Sequence, residues 1–589
     1  MSTNQPPPSG PWEPPPPGPP PGPGGPPPGM GGPPPGMGGP PPGMGGPPNG
    51  PGWTQPEWVG PGGPPPRRRR RGIVIGAIGA AFAIIVGGGA FAAYQYLSGG
   101  GPQPAEALPS NTVAYMRIDL DPSASQKVNA VRLLRRVPEF EEATGISSDT
   151  DDLRELMFNA MVEDSDCDLS YEDDIKPWIG DRAGLAAVPV DDRLVTVAAI
   201  QVSDQQAAEN AVDAIKECGV SASALEGASA GQVDVVSGGA GGLMSSSDVV
   251  DSADDSVDVD FVGDYMLIAD DPEALPGIVS DAESSPLSDS GQFQADMDAL
   301  DGEGFASYWV DVDGFREAAE SSGGVAPGEF GLEGAHTTFG AIRAGSDNIE
   351  FVMQTTSDTD ISADVDNPIS ELPDTTLMAA SASGGAELVD NHWDDVQTLV
   401  ESFGGSDAYA EMLSTVETET SLRLPDDLRT ILGDNITLAM DSTGLTPVNL
   451  ESEDPADFYF GARLTTDPAA IQDVVDRING KLVSEGMSSA LITEDTDGCL
   501  VVASNEDYAG MLASGGDLGS SDGFETALPD GSASTVAFYL DFDRLSDALA
   551  QDESAEEDVL DTLEPMRSLG SSLTQVDGGQ RWTTRLVFD

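Results

Sequence analysis

Histidine is almost missing from this chain: its 589 residues hold two, His336 and His392, beside three cysteines. Two histidines so far apart give almost no material for a Ser-His-Asp triad or a multi-histidine zinc site. Cys167, Cys218 and Cys499 allow at most one intramolecular bridge, which excludes a disulfide scaffold. Cys218 falls on the apolar stripe of Ala208, Ala211, Val212 and Ile215, so its first reading is a buried core thiol; the alternative is a Cys167 to Cys218 bridge formed in an oxidising exterior. Lysine is scarce too, with only Lys127, Lys176, Lys216 and Lys481, and 26 basic residues face 101 acidic ones for a net charge of −75. Such a chain presents no nucleic-acid surface and is repelled by anionic headgroups. It suits saline surroundings, where like charges are screened over shorter distances, or serves as an ordinary acidic exported surface.

Charge is absent altogether from Ile73 to Leu97, directly after Arg67-Arg68-Arg69-Arg70-Arg71. A helix of that length, at ~1.5 Å per residue, crosses the ~30 Å hydrocarbon layer with some tilt. The arginines stand on its N-terminal side and Ser98-Gly99-Gly100-Gly101 on the other, which predicts a single-pass signal anchor with residues 1–66 in the cytoplasm and the acidic body outside. Ala90-Phe91-Ala92 resembles a cleavage site, but a 71-residue n-region ending at Arg71 is too long for an ordinary signal peptide. Residues 1–66 are built of Pro and Gly and repeat Pro-Pro-Pro-Gly-Met-Gly-Gly in tandem from Pro26 to Gly46. Such a composition predicts a disordered tail, either a solvated spacer or a ligand for a cytoplasmic Pro-recognising partner.

After a stalk at 98–107 the chain repeats itself. Leu108-Pro109-Ser110-Asn111-Thr112-Val113-Ala114 opens one copy and Leu372-Pro373-Asp374-Thr375-Thr376-Leu377-Met378 a second. Trp178-Ile179-Gly180-Asp181 is answered by Ile431-Leu432-Gly433-Asp434, and Tyr308-Trp309-Val310-Asp311-Val312-Asp313 by Phe538-Tyr539-Leu540-Asp541-Phe542-Asp543. Between these lie, in each copy, a strand, a capped helix and a hairpin. The helices are striped by Ala208/Val212/Ile215 and by Ile471/Val475/Ile478, the second with Asp467 as cap, Pro468 at its first position and Gly480 as stop. The hairpins turn at Gly263-Asp264 and Asp497-Gly498. These features predict an α+β fold of two duplicated, largely antiparallel sheet-plus-helix domains, 108–356 and 372–589, with a disordered insertion at 221–258 and a linker at 357–371.

The openings Leu108-Pro109 and Thr112-Val113-Ala114-Tyr115, then Asp119-Leu120-Asp121-Pro122-Ser123 and Ile175-Lys176-Pro177-Trp178-Ile179-Gly180-Asp181-Arg182, resemble the family called domain of unknown function 3352. The likeness covers most of 108–589. It implies an exported, tethered actinobacterial protein, and it implies no particular activity.

Catalytic chemistry finds little footing. Gly519-Ser520-Ser521-Asp522-Gly523 matches a nucleophile-elbow pattern, but without the strand before it and the helix after it. Gly238-Gly239-Ala240-Gly241-Gly242 lacks the Lys-Ser/Thr ending of a phosphate loop. Asp311/Asp313 and Asp541/Asp543 alternate along expected strands, which puts each pair on one face as candidate oxygen ligands for a divalent cation; the plainer reading is a solvated strand face. No catalytic residue and no cofactor is assigned. The expectation is a non-enzymatic membrane protein of the cell envelope binding an extracellular ligand or partner, and the alternative is a carboxylate-dependent envelope hydrolase.

Overall fold

The computed structural model describes residues 103–119, 124–137, 169–217 except 192, 258–322, 334–358, 366–404, 407–446, 455–484, 491–496, 499–551 and 557–589, with 152, 154, 155, 158 and 449 besides. The tail, the arginine run, the apolar segment 73–97, Cys167, Cys218 and nearly all of the 221–258 insertion lie outside the described residues. Among the described residues no helix is long and apolar enough to cross a membrane.

The first half runs β1 (Ala114–Asp119), α1 (Ala124–Leu134), β2 (Ile179–Val190), β3 (Arg193–Val202), α2 (Gln205–Glu217), β4 (Val259–Val262) and β5 (Tyr265–Ala269). It continues with α3 (Leu275–Ser284), α4 (Gly291–Asp298), β6 (Ala306–Asp311), α5 (Val312–Ser322), β7 (Ala335–Ala344) and β8 (Asn348–Ser357). The second half runs β9 (Thr376–Ser383), α6 (Gly385–Gly404), α7 (Ala408–Thr420), α8 (Asp426–Leu432), β10 (Asn435–Asp441), β11 (Phe460–Thr465) and α9 (Pro468–Ser484). It ends with β12 (Ile492–Asp495), β13 (Leu500–Ala503), α10 (Glu506–Ser514), α11 (Asp522–Ala527), β14 (Val536–Asp541), α12 (Phe542–Leu549), α13 (Glu557–Leu563), β15 (Met566–Val576) and β16 (Gly579–Phe588).

Among the described residues all sixteen strands join one sheet, in the order β12-β13-β11-β10-β9-β14-β15-β16-β8-β7-β6-β1-β2-β3-β5-β4. Read outward from the middle, each half lists its strands in the same sequence: β8-β7-β6-β1-β2-β3-β5-β4 on one side and β16-β15-β14-β9-β10-β11-β13-β12 on the other. The two halves meet where β8 pairs antiparallel with β16, from Gly579 opposite Thr356 to Val587 opposite Asn348. The amino-acid sequence divides at 357–371; the sheet does not.

Helices cover both faces, so strands carry apolar residues on both sides. On face A, Phe293 of α4 stands edge-on to Tyr115 and Trp309, each ring 5.5 Å away. The buried Trp309 indole satisfies its N–H by donating to Asp296 at 2.8 Å. In the second half the same face lies under α10 and α11, with Phe524 5.0 Å from Tyr539. On face B the central core mixes the halves: Leu133 and Leu134 of α1 pack with Phe542 and Leu545 of α12, Leu563 of α13, and Leu540 and Leu569 of the strands. Outer cores of face B lie under α2, α5 and α9.

Some boundaries move from their expected places. Asp467 caps α9 by accepting from Ala469 N–H at 2.9 Å, but the helix runs through Gly480 to Ser484. A glycine inside a helix costs only ~1 kcal/mol relative to Ala, and burial of Ile471, Val474 and Val475 outweighs it.

Candidate binding face

The acids expected to alternate along strands do not do so. Strand β6 stops at Asp311 and α5 begins at Val312, so Asp313 lies in a first helical turn rather than two places along a strand. The physical reason is capping: Asp311 accepts from Gly314 N–H at 2.9 Å, and Asp541 accepts from Arg544 N–H at 2.9 Å, each satisfying a donor at a helix start. Asp541 also binds the Arg544 guanidinium at 3.0 Å. Asp313 pairs instead with His336 at 2.8 Å and Arg316 at 2.7 Å, which hold its carboxyl below the usual range, while Asp313 and then Asp358 raise His336. Asp543 is pushed up by burial and by Asp589 and Asp541. Among the described residues no three His, Cys, Asp or Glu side chains are grouped so as to hold a metal ion.

Ser521, the serine of the elbow-like pattern, caps α11 by accepting from Phe524 N–H at 3.3 Å, so a helix does follow the pattern, contrary to expectation, while a 3-10 turn at Leu518–Ser520 and no strand leads into it. Cys499 is a free thiol whose sulfur lies 3.1 Å from the Thr496 hydroxyl.

A polar layer is buried at the same register in each half. In the first, Asp119 faces Arg182 across β1 and β2, receives Arg182 Nε at 2.6 Å and Arg117 Nη2 at 3.0 Å, and all three are almost wholly buried. Burial raises the Asp119 carboxyl, opposed by Arg117 and Arg182. Arg117 also reaches Glu303 at 2.6 Å and Gln103 at 2.9 Å, closing the outer end. In the second half Ser383 faces Asn435 across β9 and β10, and Ser381 faces Thr437. Asn435 donates to Ser383 at 2.9 Å and to Ser381 at 3.2 Å and accepts from Thr437 at 2.9 Å. One position is thus filled by an ionic cluster and once more by a neutral one. Each network pairs most of its buried polar atoms internally, as burial requires, although Arg117 Nε in the ionic one has no partner.

Face B carries a different feature, written across the strands rather than along them. Pairing aligns Leu438, Ala380, Phe538, Ser571, Thr584 and Phe351 in one row, which continues through Ile342, Ala306 and Ile118. A second row holds Ile436, Ala382, Val536, Leu573, Trp582 and Met353, and continues through Gly340, Tyr308 and Met116. Followed to both edges of the sheet, the two rows contain one charged side chain, Asp495 on the outermost strand β12. Gly340 has a steric role here: a Cβ would stand 2.6 Å from the Tyr308 ring, which lies across it.

Helices leave the middle of these rows partly open. Leu438 is 49 % exposed, Trp582 40 % and Val536 38 %, and Phe538, Leu573, Phe351 and Met353 are half-buried. On one side the band ends at Leu540 and Leu569, buried under α12; on the other it ends at Gln575, Gln580 and Thr355. An open apolar band on a chain with 101 acids needs a reason, because exposed contiguous apolar surface is costly and marks interaction sites.

A family model described as a protein of unknown function, DUF3352, matches residues 73–478. The chain belongs to the DUF3352 family. No curated protein and no solved structure matches it. The DUF3352 match begins at Ile73, the first residue of the uncharged run, takes in the whole ionic cluster, and reaches α9, so it includes Leu438 but not β14 to β16.

Of the four acids picked out in the sequence, Asp311 and Asp541 cap helices and Asp313 and Asp543 lie in the first turns that follow; the band was not picked out. A signal was present. The second-half strands Thr376–Ser383 and Asn435–Asp441 carry apolar residues on the face that an antiparallel sheet normally gives to water.

Proposed function

We propose that this DUF3352 protein is a non-enzymatic binding protein, anchored by residues 73–97 with its Pro-rich tail inside and its acidic body outside, that takes up an apolar ligand on face B. The open uncharged band carries the reading: a ligand site is an apolar surface with few polar groups, and here the apolar surface crosses both halves. We read the two halves as an internal duplication, supported by their equal strand order and the paired motifs. The Arg67 to Arg71 run supports the orientation.

The test is photo-crosslinking in cells making the full chain, with p-benzoylphenylalanine placed at Val536 and, as a control, at Val483, which is exposed on α9. A small-molecule adduct at Val536, seen as added mass, is expected. Adduct no greater than at Val483, or a crosslinked polypeptide, would overturn the reading.

A further inference from the structure

We propose that the body meets the outer lipid surface with one end of its sheet, the end where Asp119 and Glu303 stand, and that residues 98–102 alone tether it there. The inference rests on the anchor reading above and adds which surface of the body faces the bilayer. Its first support is that the stalk expected over 98–107 is a spacer only in part. From Gln103 onward the chain is built into the fold: a 3-10 turn, Pro104–Glu106, buries Pro104 and Ala105, and Ala107 and Leu108 are buried after it, in the core that holds Tyr115, Leu275 and Leu287. The Gln103 N–H donates to the Glu106 carboxylate at 3.0 Å, and the Gln103 side-chain oxygen accepts from the buried Arg117 at 2.9 Å. Leu108 accepts from Leu287 N–H at 2.7 Å. The second half opens in the same manner, with a turn at Pro368–Glu371 and with Ile369 and Leu372 buried. Residues 103–108 are thus the first packed element of the body.

Its second support is direction and reach. A Cβ on Gly184 of β2 would stand 2.6 Å from Pro104, and further on Asn111 donates to the Pro189 carbonyl at 3.1 Å. The segment therefore runs along β2 toward Asp191, and the chain enters from the opposite end. That end gathers the close of β1, the loop before β6 and the turn between β7 and β8, since Ala306 pairs with both Ile118 and Ile342, and Asn348 pairs with Val587. With only residues 98–102 between Leu97 and Gln103, the chain spans at most ~20 Å even when fully extended. Asp301, Asp347 and Asp589 are exposed at this end, so headgroup attraction does not hold it down and the short tether must.

The experiment reconstitutes the full chain into phosphatidylcholine vesicles containing a little phosphatidylethanolamine with a diazirine on its headgroup amine. The vesicles are floated and irradiated, and labelled peptides are mapped. Peptides holding Asp301 and Asp347 should carry several-fold more label than the peptide holding Asp191. Inserting about 30 Gly/Ser residues between Gly101 and Pro102 adds a root-mean-square reach of ~30 Å. The insert should bring the label at Asp301 and Asp347 down to the Asp191 level, with flotation and melting temperature unchanged. In the parent, the amides of Glu106 and Ala107, which donate to the Gln103 and Pro104 carbonyls, should be protected from hydrogen exchange. Equal label at the two ends of the parent, label unmoved by the insert, or rapid exchange at Glu106 and Ala107 would overturn the proposal while the floating chain leaves the anchor reading standing. A full chain that does not float with the vesicles overturns both.

Discussion

Arg182 shows most directly how one side chain is constrained by its surroundings. It is buried against Asp119, which also holds Arg117, so Arg182→Ala leaves the remaining charges desolvated with fewer partners. Removing one member of a buried ionic group costs about 3–5 kcal/mol, whereas replacing the whole group with a neutral set is often close to neutral. The second half supplies that neutral set at the same register. Arg182→Ala alone should therefore be strongly destabilising, and the combined Arg117→Ser, Asp119→Ser, Arg182→Asn variant should be far closer to the parent in denaturant unfolding. A triple variant no more stable than Arg182→Ala would mean that the cluster is held in place by its surroundings and that the neutral network cannot be transplanted. The Gly-Asp motif before Arg182 was visible in the sequence, but its burial was not, because charged residues are rarely read as interior.

At the scale of the element, the repeated Asp-x-Asp motifs show where pattern reading stops. Alternation predicted strand on both sides of Asp311 and Asp541, yet both acids end a strand and begin a helix. An Asp followed by a good amphipathic stripe is as good a cap as it is a strand residue, and here Phe542, Leu545 and Ala548 bury on the helical face. The hairpin strands, the Asp467 cap and the α2 and α9 stripes were legible, since each rests on local chemistry. If Asp541 is a cap, Asp541→Asn should preserve stability, and Asp541→Ala should lose about 0.5–2 kcal/mol in chemical denaturation. Equal loss in both variants would assign the carboxylate charge a role beyond capping.

For the whole molecule, the α+β class was legible and the single sheet was not. Two similar openings, Leu108-Pro109 and Leu372-Pro373, with a polar stretch between them read naturally as two separate bodies. That two such bodies share a sheet depends on β8 and β16 finding each other, which no local pattern encodes. The band on face B was illegible for the same reason: its rows exist only after the strands are placed in register. The proposed orientation across a membrane rests on the arginines before Ile73. Protease added to intact spheroplasts should digest the acidic body and spare the Pro-rich tail. Digestion of the tail with survival of the body would reverse the topology.

The join between β8 and β16 also bears on how the chain can be made. Thr356, already paired through β7, waits for Gly579, across roughly 220 residues of chain, before its strand has a second neighbour. Until then the first half emerges with a long unpaired edge, able to recruit another nascent copy in place of its own last strand. Closing such a distant contact is slow, because loop entropy is lost before the pairing repays it. Production of this protein should therefore be limited by what shields that edge during synthesis, and a ribosome stalled shortly before residue 579 would release the most aggregation-prone form of the chain.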